Sequence, residues 1–163
     1  MQDYPKGLVL LSSWLVSQGY SYELLLQYRR SGWLRSIGKG AMLKSGDPLI
    51  LSGALAALQS QANIGIHLGG RSALQLHGAA HYLQLTLSEA SLFALGGLKL
   101  PLWFTANQWD ITPVIFRNTL FEDDGIGLAD YQDAGIEMQI STPARAMLEC
   151  LSLCPDGLSL IHI

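Results

Sequence analysis

Charge is scarce in this sequence and cysteine scarcer still. Only 14% of the 163 residues are Asp, Glu, Lys or Arg, whereas 49% are hydrophobic. A chain of that balance falls outside the disordered class and has apolar material for a core. Its length suits one mid-sized domain or two small ones. The two cysteines, Cys150 and Cys154, exclude a disulfide framework. Their i,i+4 spacing would let them share a metal, but a structural site takes four ligands. They read as small core residues in a reducing compartment, which points to the cytoplasm. The first ten residues have no basic region followed by a long apolar run, so no secretory signal is expected there. Residues 48–70 carry no charge, yet Gln59, Gln61, Asn63, His67 and several glycines interrupt them, which excludes a membrane span.

Catalytic patterns are missing as well. There is no Gly-x-x-x-x-Gly-Lys-Ser/Thr phosphate loop and no Gly-x-Ser-x-Gly nucleophile turn. Leu68–Ser72, "LGGRS", is similar to the Gly-Gly…Ser start of nucleotidyltransferases. That chemistry needs closely spaced metal-binding carboxylates, and the next acid, Glu89, stands alone. The run Glu122-Asp123-Asp124 precedes Gly125 and reads as an exposed turn. His77 and His81 stand at i,i+4 without the Glu of a zinc-protease helix or a third ligand. His77 is read as a surface residue and His81 as a core or interface one. Arg145 is read as structural, pairing with an acid elsewhere or with Glu149 at i+4. No enzyme activity, cofactor or metal is expected.

What charge there is lies unevenly. Residues 1–47 hold six cations (Lys6, Arg29, Arg30, Arg35, Lys39, Lys44) against three acids; residues 48–163 hold four against ten. Four of the ten cations fall within Tyr28–Gly40, "YRRSGWLRSIGKG", which contains no acid. Such asymmetry suggests a nucleic-acid-facing portion and a second portion with another task.

The local signals around that stretch give it a form. Leu8-Val9-Leu10 reads as a strand, and Ser12 or Ser13 caps a helix to about Gln18. Gly19-Tyr20-Ser21 makes a tight turn, and Ser21 caps a second helix that ends at Gly32. Leu24 and Tyr28 share one face of it; Tyr22, Leu26, Arg29 and Arg30 point toward the other. Residues 33–37 and 41–44 read as a hairpin about Gly38-Lys39-Gly40, with Trp33 as a core anchor between helix and hairpin. Helix, tight turn, helix, hairpin is the order of a winged helix-turn-helix. Asp47 is expected to cap, and Pro48 to open, a helix running to about Gln61. Beyond Asn63, "IGIHL" reads as a buried strand and "GGRSALQLHG" as a glycine turn into a short helix. Segments 82–87, 91–95, 112–117 and 135–140 read as strands. "STPARAMLECLSL" reads as a helix capped by Ser141 or Thr142, with Ala146, Met147 and Cys150 at helical spacing. The fold class is α+β.

Lys and Arg on such a helix and wing would release counterions from a duplex. Side chains near the start and on the open face of the second helix, such as Tyr22, Glu23, Leu26 and Gln27, would read bases.

The stretch "WLVSQGYSYELLLQYRRSGWLRSIGKGAM", with "HLGGRSALQLHGAAHYL", "LPLWF" and "ISTPARAMLE", resembles the AbiEi-type antitoxins, transcriptional regulators of type IV toxin–antitoxin pairs from abortive-infection phage-defence systems. The resemblance spans roughly residues 5–150. It implies an N-terminal winged-helix domain that binds operator DNA, typically inverted repeats, and represses its own operon. It implies a following domain that serves against a cognate nucleotidyltransferase-like toxin. Carried over residue by residue, the DNA-facing candidates are Ser21, Tyr22, Gln27, Arg29, Arg30, Arg35 and Lys39. "GGRSAL" is implied to be a structural turn before a helix. The expected organisation is a winged helix-turn-helix over 1–47, a connecting helix over 48–62 and an α+β antitoxin-type domain over 63–157, with a non-native tail over 158–163. The family's helix before Pro5-Lys6-Gly7 and its longer C-terminal region have no counterpart in the sequence, so a truncated member is expected. The alternative is a protein-interaction module whose degenerate winged helix binds no DNA.

Overall fold

A computed structural model of the chain describes residues 4–78, 88–118, 121 and 125–154. The expected strand over 82–87, His81, the run Glu122–Asp124 and the segment 158–163 lie outside these residues. The chain forms two compact units, each assembled from separate stretches. One comprises residues 1–64, 99–110 and 132–137; the other comprises 65–98, 111–131 and 138–163.

The first unit begins with strand β1 (Leu10–Leu11), helix α1 (Ser12–Ser17) and helix α2 (Tyr22–Arg30), followed by strands β2 (Leu34–Gly38) and β3 (Ala41–Lys44). The three strands form an antiparallel sheet in the order β1-β3-β2. Ser21 caps α2 as expected, its Oγ accepting from the Leu24 amide at 3.2 Å. The helix ends in a Schellman motif: the Gly32 amide donates to Arg29 O at 3.2 Å and the Trp33 amide to Tyr28 O at 2.9 Å. Gly32 permits this because its φ is +78°. The two helices and the sheet close over Leu10, Leu15, Leu25, Leu34 and Met42, with Trp14, Tyr20 and Tyr28 packed around them.

Several expectations for this unit are corrected. Trp33 is not a core anchor; it is 62% exposed, while Leu34 beside it is buried. The motif's last position ties the Trp33 amide to Tyr28 O and leaves the Trp33 side chain at the surface, and strand alternation then turns Leu34 inward. Neither Ser12 nor Ser13 caps α1, whose N-cap is Leu11. Asp47 does not cap the next helix. Helix α3 (Leu51–Ala56) has Ile50 as its N-cap, and the Leu51 amide donates to the Asp110 carboxylate at 2.7 Å. The Asp47 carboxylate instead accepts from the Gly7 amide at 3.0 Å. The expected single α-helix continues as a π-helical turn, Ala57–Gln61. That turn brings the Gln61 side chain to β1, where it accepts from the Leu11 amide and donates to Val9 O, both at 2.8 Å. One side-chain amide thus serves the strand as a neighbouring strand would.

Residues 99–110 also belong to this unit. Short helix α5 (Leu102–Thr105) carries the buried Trp103 and Phe104, and Trp109 stacks on Phe104 with centroids 5.7 Å apart. Asn107 Nδ2 donates to Ile37 O at 2.7 Å, which ties this segment to β2.

The second unit holds strands β4 (Ile66–Leu68), β5 (Glu89–Leu95) and β6 (Thr112–Asn118), residues 128–131 of strand β7 (Leu128–Asp133) and 138–141 of strand β8 (Ile136–Ser141), with helices α4 (Gly70–Leu76) and α6 (Pro143–Ser152); residues 132–137 fall in the first unit. The five-stranded sheet runs β6-β5-β4-β8-β7. β4 is antiparallel to β5 and parallel to β8, and β5 is parallel to β6. On β8, Ile136, Met138 and Ile140 are buried and Glu137 and Gln139 exposed, the period of a half-buried strand. Helix α4 packs on α6 through Ala73, Leu74, Ala146 and Cys150. Thr142, not Ser141, caps α6, accepting from the Arg145 amide. Of the three residues at helical spacing, Ala146 and Cys150 are buried and Met147 is 41% exposed. The polar pair Arg145 and Glu149 takes the inward face together with Ala146 and Cys150.

Candidate nucleic-acid interface

Helix α2 divides by burial as its sequence suggests. Leu25 is buried and Leu24 and Tyr28 half-buried, whereas Tyr22, Glu23, Leu26, Gln27, Arg29 and Arg30 are exposed. At about 100° per residue these six positions sweep close to half of the helix surface. The wing turn Lys39-Gly40 is exposed as well. Between α2 and the wing tip lies a groove of about 490 Å³ whose walls include Tyr22, Leu26, Arg29, Ser36 and Lys39. The Gly40 carbonyl at its end accepts from both the Ser12 amide at 2.9 Å and Ser12 Oγ at 3.0 Å. These bonds fix the wing turn to the start of α1.

Of the residues named from sequence, Tyr22, Arg29 and Lys39 therefore come together on one groove. Gln27 and Arg30 are exposed on the same helix but do not line the groove, and the Ser21 hydroxyl is engaged as the helix cap. Arg35 is placed differently. It is half-buried, and its Nη2 donates to Asp47 O at 3.0 Å. Alternation along β2 sets it on the opposite side from Ser36, which lines the groove. Lys44 is also engaged, donating to Tyr4 O at 2.9 Å. Ser12 and Ser36 were missed as groove residues. Ser12 carries a local signal that reads equally well as a helix cap, and nothing in Ser36's neighbourhood marks it.

The second unit contains a polar centre that local sequence does not announce. Glu149 on α6 is fully buried (0% exposed). Its carboxylate accepts from His67 Nε2 at 2.8 Å, the Gly70 amide at 2.8 Å, Ser141 Oγ at 2.8 Å and Arg145 Nε at 2.9 Å. Because an ionised carboxylate only accepts, the proton between it and His67 sits on Nε2. Burial pushes the Glu149 carboxyl upward, but the bonds from His67, the Gly70 amide and Arg145, with the charge interaction of His67, hold it below the usual carboxylate range. Arg145 also donates to Ile126 O and lies over the Phe121 ring, 4.4 Å from its centroid. Of the two pairings the sequence allowed Arg145, the i,i+4 one with Glu149 is present. His77 is exposed, as read, with its Nε2 at 2.9 Å from Ser141 O. The Gly70 amide of "LGGRS", which a nucleotidyltransferase reading would offer to a substrate phosphate, is occupied by the chain's own carboxylate. A Cβ at Gly69 would stand 2.2 Å from Glu149 Oε2, so the glycine there makes room for that carboxylate. Cys150 is buried and Cys154 half-buried; burial, then the charge of Glu149, push the Cys150 thiol upward. Among the described residues, no three of His, Cys, Asp and Glu gather as a metal site would require. Among the same residues, no helix is long and apolar enough to cross a membrane.

Comparison with known proteins places this arrangement. No curated protein matches the chain significantly. The chain is similar in fold to the crystal structure of the RV2827C protein from Mycobacterium tuberculosis, with a TM-score of 0.56 at 17% identity. That match covers 98% of this chain but only 59% of the other, so the chain spans well under two thirds of that protein's length. Residues 1–85 match the family described as "Transcriptional regulator, AbiEi antitoxin N-terminal domain", and residues 88–163 match "Transcriptional regulator, AbiEi antitoxin, Type IV TA system". This is a regulatory rather than an enzymatic family, and the α+β fold with an N-terminal winged helix accords with it. With its whole length matched, the chain belongs to the AbiEi antitoxin family of transcriptional regulators of type IV toxin–antitoxin systems.

Proposed function

We propose that the chain binds operator DNA through α2 and the wing and represses its own operon as the antitoxin of a type IV toxin–antitoxin pair. The observation that carries this reading is the groove of Tyr22, Leu26, Arg29 and Lys39 in a member of a regulator family. Helix α2 enters the major groove, and Arg29, Arg30 and Lys39 meet phosphates or guanine edges. Ser21 sets the start of α2, Tyr22 and Gln27 face base edges, and Arg35 braces the wing through Asp47 O. The operator is expected to hold inverted repeats. The second unit serves the antitoxin function against a nucleotidyltransferase-like toxin, in the cytoplasm.

The test is a mobility-shift titration on the DNA upstream of the chain's own gene, against a scrambled duplex, over a range of salt. Specific binding that falls steeply with salt is expected, and Arg29→Ala and Lys39→Ala should each reduce the log–log salt slope by about 0.9. Unchanged slopes in both variants would mean that the docking face is wrongly assigned.

A second reading, a protein-docking module, is favoured by the 62% exposure of Trp33 and by the uncharged outer face of α6, where Met147, Leu148 and Leu151 are each more than 40% exposed. Salt-insensitive partner binding without any duplex binding would select it.

A further inference from the structure

Tyr22 and Leu26 are large apolar side chains left open on a helix that has polar alternatives all around it. They are 63% and 41% exposed, and both stand on the groove wall beside Arg29 and Lys39. Glu23 is the only acid of α2, and the groove residues carry cations alone. The charge therefore suits a duplex; Leu26 offers nothing to a phosphate, and Tyr22 offers one only its hydroxyl, which leaves the apolar surface of both side chains to be accounted for. In the major groove the one apolar group on a base edge is the 5-methyl of thymine.

We infer that Tyr22 and Leu26 read thymine methyl groups, so that the sequence this chain prefers contains two thymines set by their spacing on α2. The inference rests on the DNA-docking reading above and deepens it. Four residues of helix advance about 6 Å, which is about two base-pair steps at about 3.4 Å each. Arg29, three residues further along the same face, comes opposite the next one or two steps, where a guanine offers it two acceptors. The expected core is thus two thymines about two steps apart with a guanine beyond them.

The probe is a random-core duplex library, selected on the full chain, with the winning duplex then remade with uracil in place of each thymine in turn. That replacement removes one methyl from the DNA and leaves the protein and the Watson–Crick pairing intact. Losing one buried methyl group should weaken binding about fourfold at each of two positions. Leu26→Ala should make one of these replacements silent, and Tyr22→Ala the other. Both sites are exposed, so folding is not at stake. Equal binding of thymine and uracil duplexes, with a selected consensus and a steep salt slope, would overturn the methyl contact and leave the docking reading standing. Losses that persist in both variants would overturn the assignment to these two residues. Failure to bind any duplex at low salt would remove the docking reading, and this inference with it.

Discussion

Replacing Glu149 by glutamine tests whether one buried carboxylate holds the second unit together. The variant keeps shape and volume but changes what the site can accept. In the native protein four donors converge on the two carboxylate oxygens: His67 Nε2, the Gly70 amide, Ser141 Oγ and Arg145 Nε. The single oxygen of glutamine can serve two of them, and its NH2 group faces the others as a donor. Two buried donors left unmet cost about 1–3 kcal/mol each. Removing the charge that the 5%-exposed Arg145 pairs with puts the total within the about 3–5 kcal/mol typical of a broken buried ion pair. Urea unfolding at pH 7, followed by far-ultraviolet circular dichroism, should therefore show a midpoint shift equivalent to about 3–5 kcal/mol with little change in slope. The pH dependence has a definite sign. Glu149 is held below the usual range in the folded chain, so its contribution is complete above the unfolded value of about 4.3. It fades as pH falls through the depressed folded value. The gap between native and Glu149→Gln stabilities should accordingly be widest near neutrality and close in acid. A loss under about 1 kcal/mol, or a gap that does not shrink in acid, would refute the role given to this charge.

The remaining expectations concern single contacts. Gly69→Ala should destabilise the chain by about 1–3 kcal/mol through overpacking, because its Cβ would stand 2.2 Å from Glu149 Oε2 and 2.7 Å from Phe93 Cδ2; faster hydrogen exchange at the Gly70 amide would locate the damage. Trp33→Ala should cost less than about 1 kcal/mol, as exposed positions do, yet remove the most iodide-quenchable component of tryptophan emission, since Trp14 is half-buried and Trp103 and Trp109 are under 10% exposed. A large stability loss there would restore the core-anchor role. Ser12→Ala removes the hydroxyl bond to Gly40 O but keeps the amide one; the unfolding midpoint should fall by the equivalent of about 0.5–1.5 kcal/mol, the net worth of one such bond, and an unchanged midpoint would mean that the hydroxyl does not hold the wing turn.

Much of the first unit was legible because its signals are local. The Ser21 cap, the glycine that ends α2 and the Gly38-Lys39-Gly40 turn each act within a few residues, and the structure places each where the sequence put it. The charge of the stretch survives folding as an exposed Arg29, Arg30 and Lys39. Trp33 misleads because hydrophobicity alone is no sign of burial. In a Schellman motif the residue after the glycine packs on the last helical turn, and that contact can remain at the surface. Strand β7 and helix α5 carry weak local patterns: β7 has no buried residue, and α5 is four residues long.

What the sequence could not show are the partners that come from far along the chain. Helix α3 looks as though Asp47 should cap it, yet Asp110, 59 residues after Leu51, supplies the carboxylate. Strand β1 gains a side-chain neighbour in Gln61, and the start of α4 is held by Glu149, 79 residues after Gly70. In each case a backbone amide without a partner had to be satisfied, and several polar side chains were chemically able to do it. Sequence states the demand but not which residue meets it. The same holds for function. The basic stretch announces that a duplex is a suitable ligand, but only the folded groove separates Arg29 and Lys39, which share a wall with Tyr22 and Leu26, from Arg35, which turns to the other side of the same strand. Charge counting treats all three cations alike. A salt slope that responds to Arg29 and Lys39 but not to Arg35 would show that the geometry, rather than the composition, sets how this chain meets its ligand.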